Sequence, residues 1–516
     1  MDSSPTTTEP KYFIGLDIGT QSTKGILYDP ITNKILKRES INYDLLPTKS
    51  QYRAEQDTNE WINACNQILL KLVTNNNNNE HEYMIGGIGI SGQQHGMVIL
   101  DESHNVIRPA KLWCDVEAHV EAKEFTQKAT KIVNRPYHIP AGFTAPKVLW
   151  LKNNENKNFL KMKYCVLPHD YISFILRDGI GGFITDSGDA SGTGVYDPVT
   201  KKYNRNLSEI VDDKYYDCLP KVIEEPHGIA GTLGPTYKKL LNINYDIPIS
   251  IGSGDNMCSA LGVGCVTPGM AVLSLGTSAT IFGVSSSPVL PPKNNYVASF
   301  CDATGRYLPL TCIMSCTAIL QSVLESSSPN NTSITHEEAT NLASKIQPGC
   351  HDLILLPYLN GERTPNWPLS FGALLNINAN NISLISTKSP GLLYRAALEG
   401  ISMAIKLSLE EMEQTGFIIS SSLLVVGGGS KNILWRHILS DVLNLTLQFP
   451  KELESAALGA AFQVGAAVDD IQDVEKYVLK QKIDLEDCVI SPNMDNVDIY
   501  KKGYDKFKSF AKRLFD

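Results

Sequence analysis

Apolar residues come in short runs broken by Gly-rich turns, with longer stretches at helical spacing between them. Tyr12 to Ile18 is a strand ending in a Gly-Thr turn, followed by a strand at Gly25 to Tyr28 and a third near Ile35. Asp29-Pro30 marks the second turn, so the opening reads as a β-meander. Trp61 to Val73 places Trp61, Ile62, Cys65, Ile68, Leu69 and Leu72 at helical spacing. Asn75 to Asn79 is a polar run expected to loop over the surface. Met84 to Ser91 and Ile247 to Ile251 are apolar enough for buried strands; the second ends at Gly252-Ser253-Gly254-Asp255-Asn256, with a helix from Ser259. Later come a strand at Leu353 to Leu356, a helix over Tyr394 to Met403, and a strand over Leu423 to Val426. That strand runs into Gly427-Gly428-Gly429 and a helix from about Asn432. Tyr504 to Phe515 is amphipathic, with Tyr504, Phe507, Ala511 and Leu514 on the face expected to dock.

The opening pattern returns. Asp17-Ile18-Gly19-Thr20 has a counterpart in Ser274-Leu275-Gly276-Thr277, and Thr277 lies 257 residues after Thr20, half the chain away. A strand–Gly-Thr–strand unit recurring at that distance predicts a duplicated domain, one copy in each half. A chain of 516 residues needs at least two cores in any case.

Composition removes some functions. The chain is 42% hydrophobic and 20% charged, carries a net −9 and has no long basic run, which argues against nucleic acid or an anionic membrane as partner. No apolar stretch is long enough to span a bilayer, and Met1 to Lys11 lacks the apolar centre of a signal peptide. Eleven cysteines, odd in number and without zinc spacing, read as reduced thiols of a cytoplasmic protein.

Gly gives a phosphate close access to backbone N–H groups and Thr or Ser adds hydroxyls, so paired Gly-Thr hairpins read as phosphate loops, although one alone would be an ordinary turn. Asp17 at a strand end can hold the water shell of Mg²⁺. Asp255, between glycines and a helix start, can accept a hydroxyl proton in phosphoryl transfer; a helix cap would look the same in sequence. Gly427-Gly428-Gly429 offers a flat surface to a nucleoside, or simply a tight turn, and matches neither the dinucleotide nor the P-loop pattern. Gln94-His95-Gly96, Trp113-Cys114-Asp115 and Asn360-Gly361-Glu362-Arg363 are polar turns suited to a polyol. Glu362 and Arg363 read as a structural ion pair beside the cleft.

The order of these motifs resembles the FGGY carbohydrate kinases, from about Tyr12 to Ala461. Four segments carry the likeness: Gly92-Gln93-Gln94-His95-Gly96, Gly142-Phe143-Thr144-Ala145-Pro146-Lys147, Leu167-Pro168-His169-Asp170-Tyr171 and Pro357 through Pro365. Within the family they are most like members acting on xylulose. The resemblance implies an α/β fold of two actin-like ATPase (ribonuclease H-like) domains around a cleft. The expected parts are a disordered tail (1–11), a sugar-side domain (12–264), an ATP-side domain (265–470) and a C-terminal extension (471–516). It implies Asp255 as catalytic base and Asp17 as the magnesium-associated carboxylate. Sugar contacts fall on Gln94, His95, Asp255, Asn256 and Asp115. ATP contacts fall on Thr20, Gln21, Ser22, Lys24, Gly276, Thr277, Gly428, Gly429 and Asn432. Many relatives have Arg two residues after the Asp of the Trp113 segment; here it is Glu117, which is not carried over. ATP and Mg²⁺ are the implied cofactors, a sugar and ATP the implied ligands, with a homodimer left open. The implied reaction is ATP-dependent formation of D-xylulose 5-phosphate. Ribulose, gluconate, glycerol or sedoheptulose as acceptor, a regulatory ATPase, and a non-catalytic sugar sensor are the alternatives.

Overall fold

The computed structural model describes residues 11–74, 83–327, 334–359, 361–378, 381, 390–469 and 471–516. Asn360, the 75–79 run and the tail before Lys11 lie outside them.

Each half is built on one mixed sheet. In the first, β1 (Lys11–Ile18), β2 (Ser22–Asp29) and β3 (Lys34–Asn42) form the expected meander. Helix α1 (Thr58–Val73) buries its apolar face, Trp61, Ile68, Leu69 and Leu72, against them. β4 (Met84–Gly92) then runs parallel to β1, and β5 (Ile229–Thr232) and β6 (Pro248–Ser250) complete the order β5-β6-β4-β1-β2-β3. Between β4 and β5 lie α2 (Thr144–Asn154) and α3 (Pro168–Leu176). A two-residue strand, Ser253–Gly254, pairs with the end of β4 and leads directly into α4 (Asp255–Gly262). The helix thus begins at Asp255, four residues ahead of Ser259.

The second sheet has the order β9-β10-β8-β7-β11-β12, from β7 (Ala271–Leu275), β8 (Ala279–Gly283), β9 (Ala298–Cys301), β10 (Tyr307–Ile313), β11 (Ser422–Val426) and β12 (Thr446–Gln448). Its five strands β10-β8-β7-β11-β12 repeat the first sheet: a hairpin, an antiparallel neighbour beyond its second strand, and two parallel strands beyond its first. The duplication expected from the two Gly-Thr turns is therefore present as topology. Around this sheet pack α5 (Thr317–Ser327), α6 (Pro390–Glu413), α7 (Ile433–Leu443) and α9 (Met494–Phe515), while α8 (Ser455–Val468) goes elsewhere. α9 docks through Tyr500, Tyr504, Phe507 and Ala511; Leu514, expected on that face, is 45% exposed, while Phe515 turns inward onto Tyr358 and Trp367.

Each half has a core of its own, and a third core includes residues of both sheets together with α4 and α8. α8 lies on the first sheet and crosses α4. Glycine makes this possible: a Cβ on Gly15 or Gly89 would sit 1.8 Å from the Ala457 or Ala460 carbonyl oxygen, and one on Gly459 would sit 1.8 Å from that of Cys258. Helix and sheet backbones therefore meet with nothing between them. Among the described residues no helix is long and apolar enough to cross a membrane.

Candidate functional site

A cleft of about 1120 Å³ opens between the halves. Gln94, His95, Thr20, Asp255 and Asn256 reach it from the first half, and Ser278, Thr280, Cys312 and Arg363 from the second. A smaller cavity of about 480 Å³ adjoins it around Tyr137 and Tyr296, without the carboxylates.

His95 is the most constrained of these. Its φ of +64° is a conformation few non-glycine residues adopt, and such strain persists only where surroundings impose it. Here the carbonyl accepts Lys147 Nζ at 2.7 Å and Thr144 Oγ1 at 3.1 Å, both from the start of α2. The ring stacks on Phe143, with centroids 4.3 Å apart, and Nδ1 lies 3.0 Å from the Gly192 carbonyl. Burial, and then the Lys147 cation, push the imidazole down to about 3, so it is neutral at physiological pH. A neutral ring whose Nδ1 faces a carbonyl must keep its proton there, leaving Nε2 as an acceptor for a hydroxyl.

Asp255 opens α4 with one carboxylate oxygen, Oδ1, held by the Asn256 amide at 2.7 Å and by Asn256 Nδ2 at 2.9 Å. It does not cap the helix, since Gly254 holds that position. Oδ2 takes no hydrogen bond among the described residues. Burial, then the carboxylates of Asp17 and Asp189, push this carboxyl up to about 8. Asn256 Nδ2 also donates to Gln94 Oε1 at 2.9 Å, while Gln94 Nε2 is buried with no partner. An orphaned buried amide beside a proton-hungry carboxyl is a place for a ligand hydroxyl.

Asp17 pairs in register with Ser91, whose hydroxyl donates to Oδ1 at 2.8 Å. Burial raises its pKa, against the Ser91 bond and the Lys24 charge. Asp17 and Asp255 thus place two carboxylates near one another; Lys24, whose charge reaches Asp17, is paired with Glu454 at 2.8 Å across the halves. An acidic pair short of positive charge, with Asp17 Oδ2 unbonded among the described residues, suits a hard divalent cation.

The two hairpins close alike: Gly19 N–H donates to Ser22 O at 3.0 Å and Gly276 N–H to Ser278 O at 2.9 Å. Their side chains differ. The Thr20 hydroxyl donates to Gln93 Oε1 at 3.0 Å and accepts Trp113 Nε1 at 2.9 Å, so it braces the Gln93–His95 turn and only backbone is left for a phosphate. Gln21 is exposed and Ser22 half-buried at the tip. Thr277 is exposed, and the N-terminus of α5 sits on its turn, with Thr317 Oγ1 donating to Gly276 O at 2.7 Å.

The glycine turn lies against the second hairpin. Gly427, with φ +91°, and Gly429 are packed onto Leu275, where a Cβ would approach within 2.5 and 2.9 Å, whereas a Cβ on Gly428 would meet nothing. Two of these glycines are required by the fold, and Gly428 is open to a ligand. Asn432 caps α7 through Trp435 N at 3.1 Å and donates to Thr340 Oγ1 at 2.9 Å. These bonds leave the second N–H of its amide for the expected nucleoside contact.

Asp115, expected among the sugar contacts, is fully buried, with Oδ2 held by Lys111 Nζ at 2.9 Å and Ala54 N at 3.0 Å, and Oδ1 by Glu117 N at 3.2 Å, so its side chain is engaged within the cleft wall. Glu55, Asp115 and Glu117 converge as metal ligands would, but Lys111 Nζ already lies among them, 2.7 Å from Glu117. Glu362 and Arg363 form no ion pair: Glu362 accepts Met314 N at 2.7 Å and Arg363 N at 2.8 Å, and Arg363 faces the cleft without an acidic partner among the described residues. Phe300 has no signal in the sequence, and Lys147 enters there only as the end of a segment that carries the likeness, without a role; an aromatic within a strand and a lysine within a helix give no local sign of a site.

Residues 12–262 match the model of the N-terminal domain of the FGGY family of carbohydrate kinases, and residues 271–468 that of its C-terminal domain. The chain is 32% identical to a xylulose kinase of Haemophilus influenzae over 98% of this chain and 100% of that one. It is 31% identical to one of Streptomyces rubiginosus over 87% and 86%. Among solved structures it is similar to a xyloylose kinase from Brucella ovis, with a TM-score of 0.85, 27% identity and coverage of 98% and 99%. The fold is shared with a gluconate kinase from Lactobacillus acidophilus, with a TM-score of 0.87, 24% identity and 98% of each chain covered.

Proposed function

The chain belongs to the FGGY family of carbohydrate kinases, and from that premise we propose that it transfers the γ-phosphoryl group of ATP to the 5-hydroxyl of D-xylulose. The observation that carries this reading is the pairing of the unbonded Asp255 Oδ2 with the orphaned Gln94 amide and the His95 acceptor in one cleft. His95 Nε2 accepts from a sugar hydroxyl, and Gln94 Nε2 and Asn256 fix the neighbouring oxygens. Asp255 Oδ2 orients the 5-hydroxyl. As the oxygen bonds to the γ-phosphorus and the bond to the ADP oxygen breaks, the hydroxyl proton passes to Asp255. Backbone N–H groups of the Gly19 and Gly276 turns face the phosphates, and Gly428 leaves room for the nucleoside. Asp17 would hold Mg²⁺, which when bound with ATP neutralises phosphate charge. The eleven cysteines are all free, nine of them buried, which suits a reducing compartment and supports a cytoplasmic enzyme.

The test is ADP release with Mg²⁺·ATP against xylulose, ribulose, gluconate, glycerol and sedoheptulose, for wild type and Asp255→Asn. Xylulose should give the highest kcat/KM, and Asp255→Asn should lose ~10³-fold in kcat while still binding sugar. A faster acceptor than xylulose would overturn the substrate; no acceptor above the water background would overturn the reaction.

A further inference from the structure

Beneath the sugar turns lies a fully buried group of ionisable side chains that the reaction does not use: His169, Asp170, Asp186 and Asp189. His169 Nδ1 is 2.8 Å from Asp189 Oδ2, and Nε2 is 3.1 Å from Asp170 Oδ1, a charge contact whose angle falls short of a hydrogen bond. Asp186 Oδ1 is 4.0 Å from Nε2.

Two features connect this group to the site. The first is steric: a Cβ on Gly92 would sit 2.9 Å from His169 N, and one on Gly252 would sit 2.8 Å from His169 Cδ2. His169 is thus seated directly under the residue before Gln93 and under the residue before Ser253. The second is the bonding that leaves the group. Asp189 also faces the His95 amide, and Asp186 Oδ2 accepts the Ser253 hydroxyl at 2.7 Å, two residues before Asp255. One network therefore ends on both strands of the sugar site.

We propose that His169 is a positioning residue for sugar binding: its ring, held between Asp189 and Asp170, fixes the turn carrying Gln94 and His95 against the turn carrying Asp255 and Asn256. Burial alone would push the ring down, but the carboxylates of Asp170, Asp189 and Asp186 push it up to about 9, so it stands as the cation among them. A buried cation with partners on two segments resists their sliding apart, because separation would leave charge unpaired in the interior. Among the described residues this group makes no hydrogen bond or ion pair with the Gly276 and Gly428 turns of the second half.

The inference rests on sugar binding at the His95–Asn256 site, and the experiment separates the two. His95→Ala, His169→Gln and His169→Asn are compared with wild type for the KM of xylulose and of ATP, and for the rise in Tm given by xylulose alone and by ADP alone. Gln reaches the Nε2 position and loses the Asp189 bond; Asn reaches the Nδ1 position and keeps it. His169→Gln should raise the sugar KM ~10-fold or more and abolish the xylulose-induced rise in Tm, His169→Asn should raise it ~3-fold, and both should leave the ATP KM within ~2-fold. Unchanged sugar KM in both, or sugar and ATP constants worsening together, overturns the role of His169. If His169→Gln does not fold, His169→Asn and Asp189→Asn decide in the same way. If His95→Ala leaves the sugar KM unchanged, the sugar site itself is misplaced.

Discussion

The two Gly-Thr hairpins share a topology and differ in chemistry. In the first, Asp17 is paired with Lys24 across the hairpin and with Ser91 on the parallel strand; in the second, Ser274 is paired with Thr280 and Val426. The first turn is one residue longer, since Ile18 pairs with Thr23 while Leu275 pairs with Ala279. Its threonine is tied inward to Gln93 and Trp113, whereas Thr277 is exposed. A duplicated hairpin has thus kept its backbone N–H groups in both copies and its acid in one. The shared part suits the phosphates, which need donors from both sides. The unshared part suits what happens once, the handling of the metal and the acceptor.

If that division is right, making the first hairpin resemble the second should be ruinous. Asp17→Ser should lower kcat/KM by ~10²-fold or more in the ADP-release assay, and near-normal turnover would mean the hairpins are equivalent. Next in size are the threonines. Thr20→Val should raise the KM of xylulose ~5-fold through the loosened Gln93 turn, and Thr277→Val should alter only the KM of ATP. An effect of both on the same substrate would erase the distinction. A smaller effect concerns the acid opposite the hairpin. Without Mg²⁺·ATP the folded protein holds a proton on Asp255 up to about pH 8, one it must release before it can serve as base, while the unfolded chain releases it above about pH 4, so this group costs the wild type stability as pH rises between those values. Asp255→Asn should therefore melt above wild type at pH 8, by about 1–3 °C, with the gap closing toward pH 4. Smallest should be Lys24→Met: its pair with Glu454 is 38% and 26% exposed, so the loss should be at most about 1 kcal/mol in denaturant titration.

Much of this was legible in the sequence, for identifiable reasons. The meander, the recurrence at Gly276-Thr277 and the strand into Gly427 could be read because apolar runs and glycines are local signals. Asp17, Asp255 and Gln94-His95 could be found because polar residues at the ends of buried strands are out of place unless used. What could not be read is where a side chain turns. Asp115 and Asn432 look like ligand groups in sequence, but their partners, Lys111 with Ala54 and Trp435 with Thr340, are set by packing between segments. His169 was visible as a motif residue, but its place under Gly92 and Gly252 depends on the meeting of three chain segments.

The crossing of α4 and α8 has a consequence for how the gene could be divided. By order along the chain α8 belongs to the second half, yet its burial is against the strands of the first. Cutting the polypeptide between Gly264 and Ala271 would leave one fragment with the Gly15 and Gly89 faces bare and the other with an apolar helix unpacked. Each fragment made alone should aggregate, and co-production of the two should restore soluble protein. The repeat visible along the sequence is therefore not a pair of interchangeable modules, and chimaeras with relatives should fold only when α8 is inherited together with the first sheet.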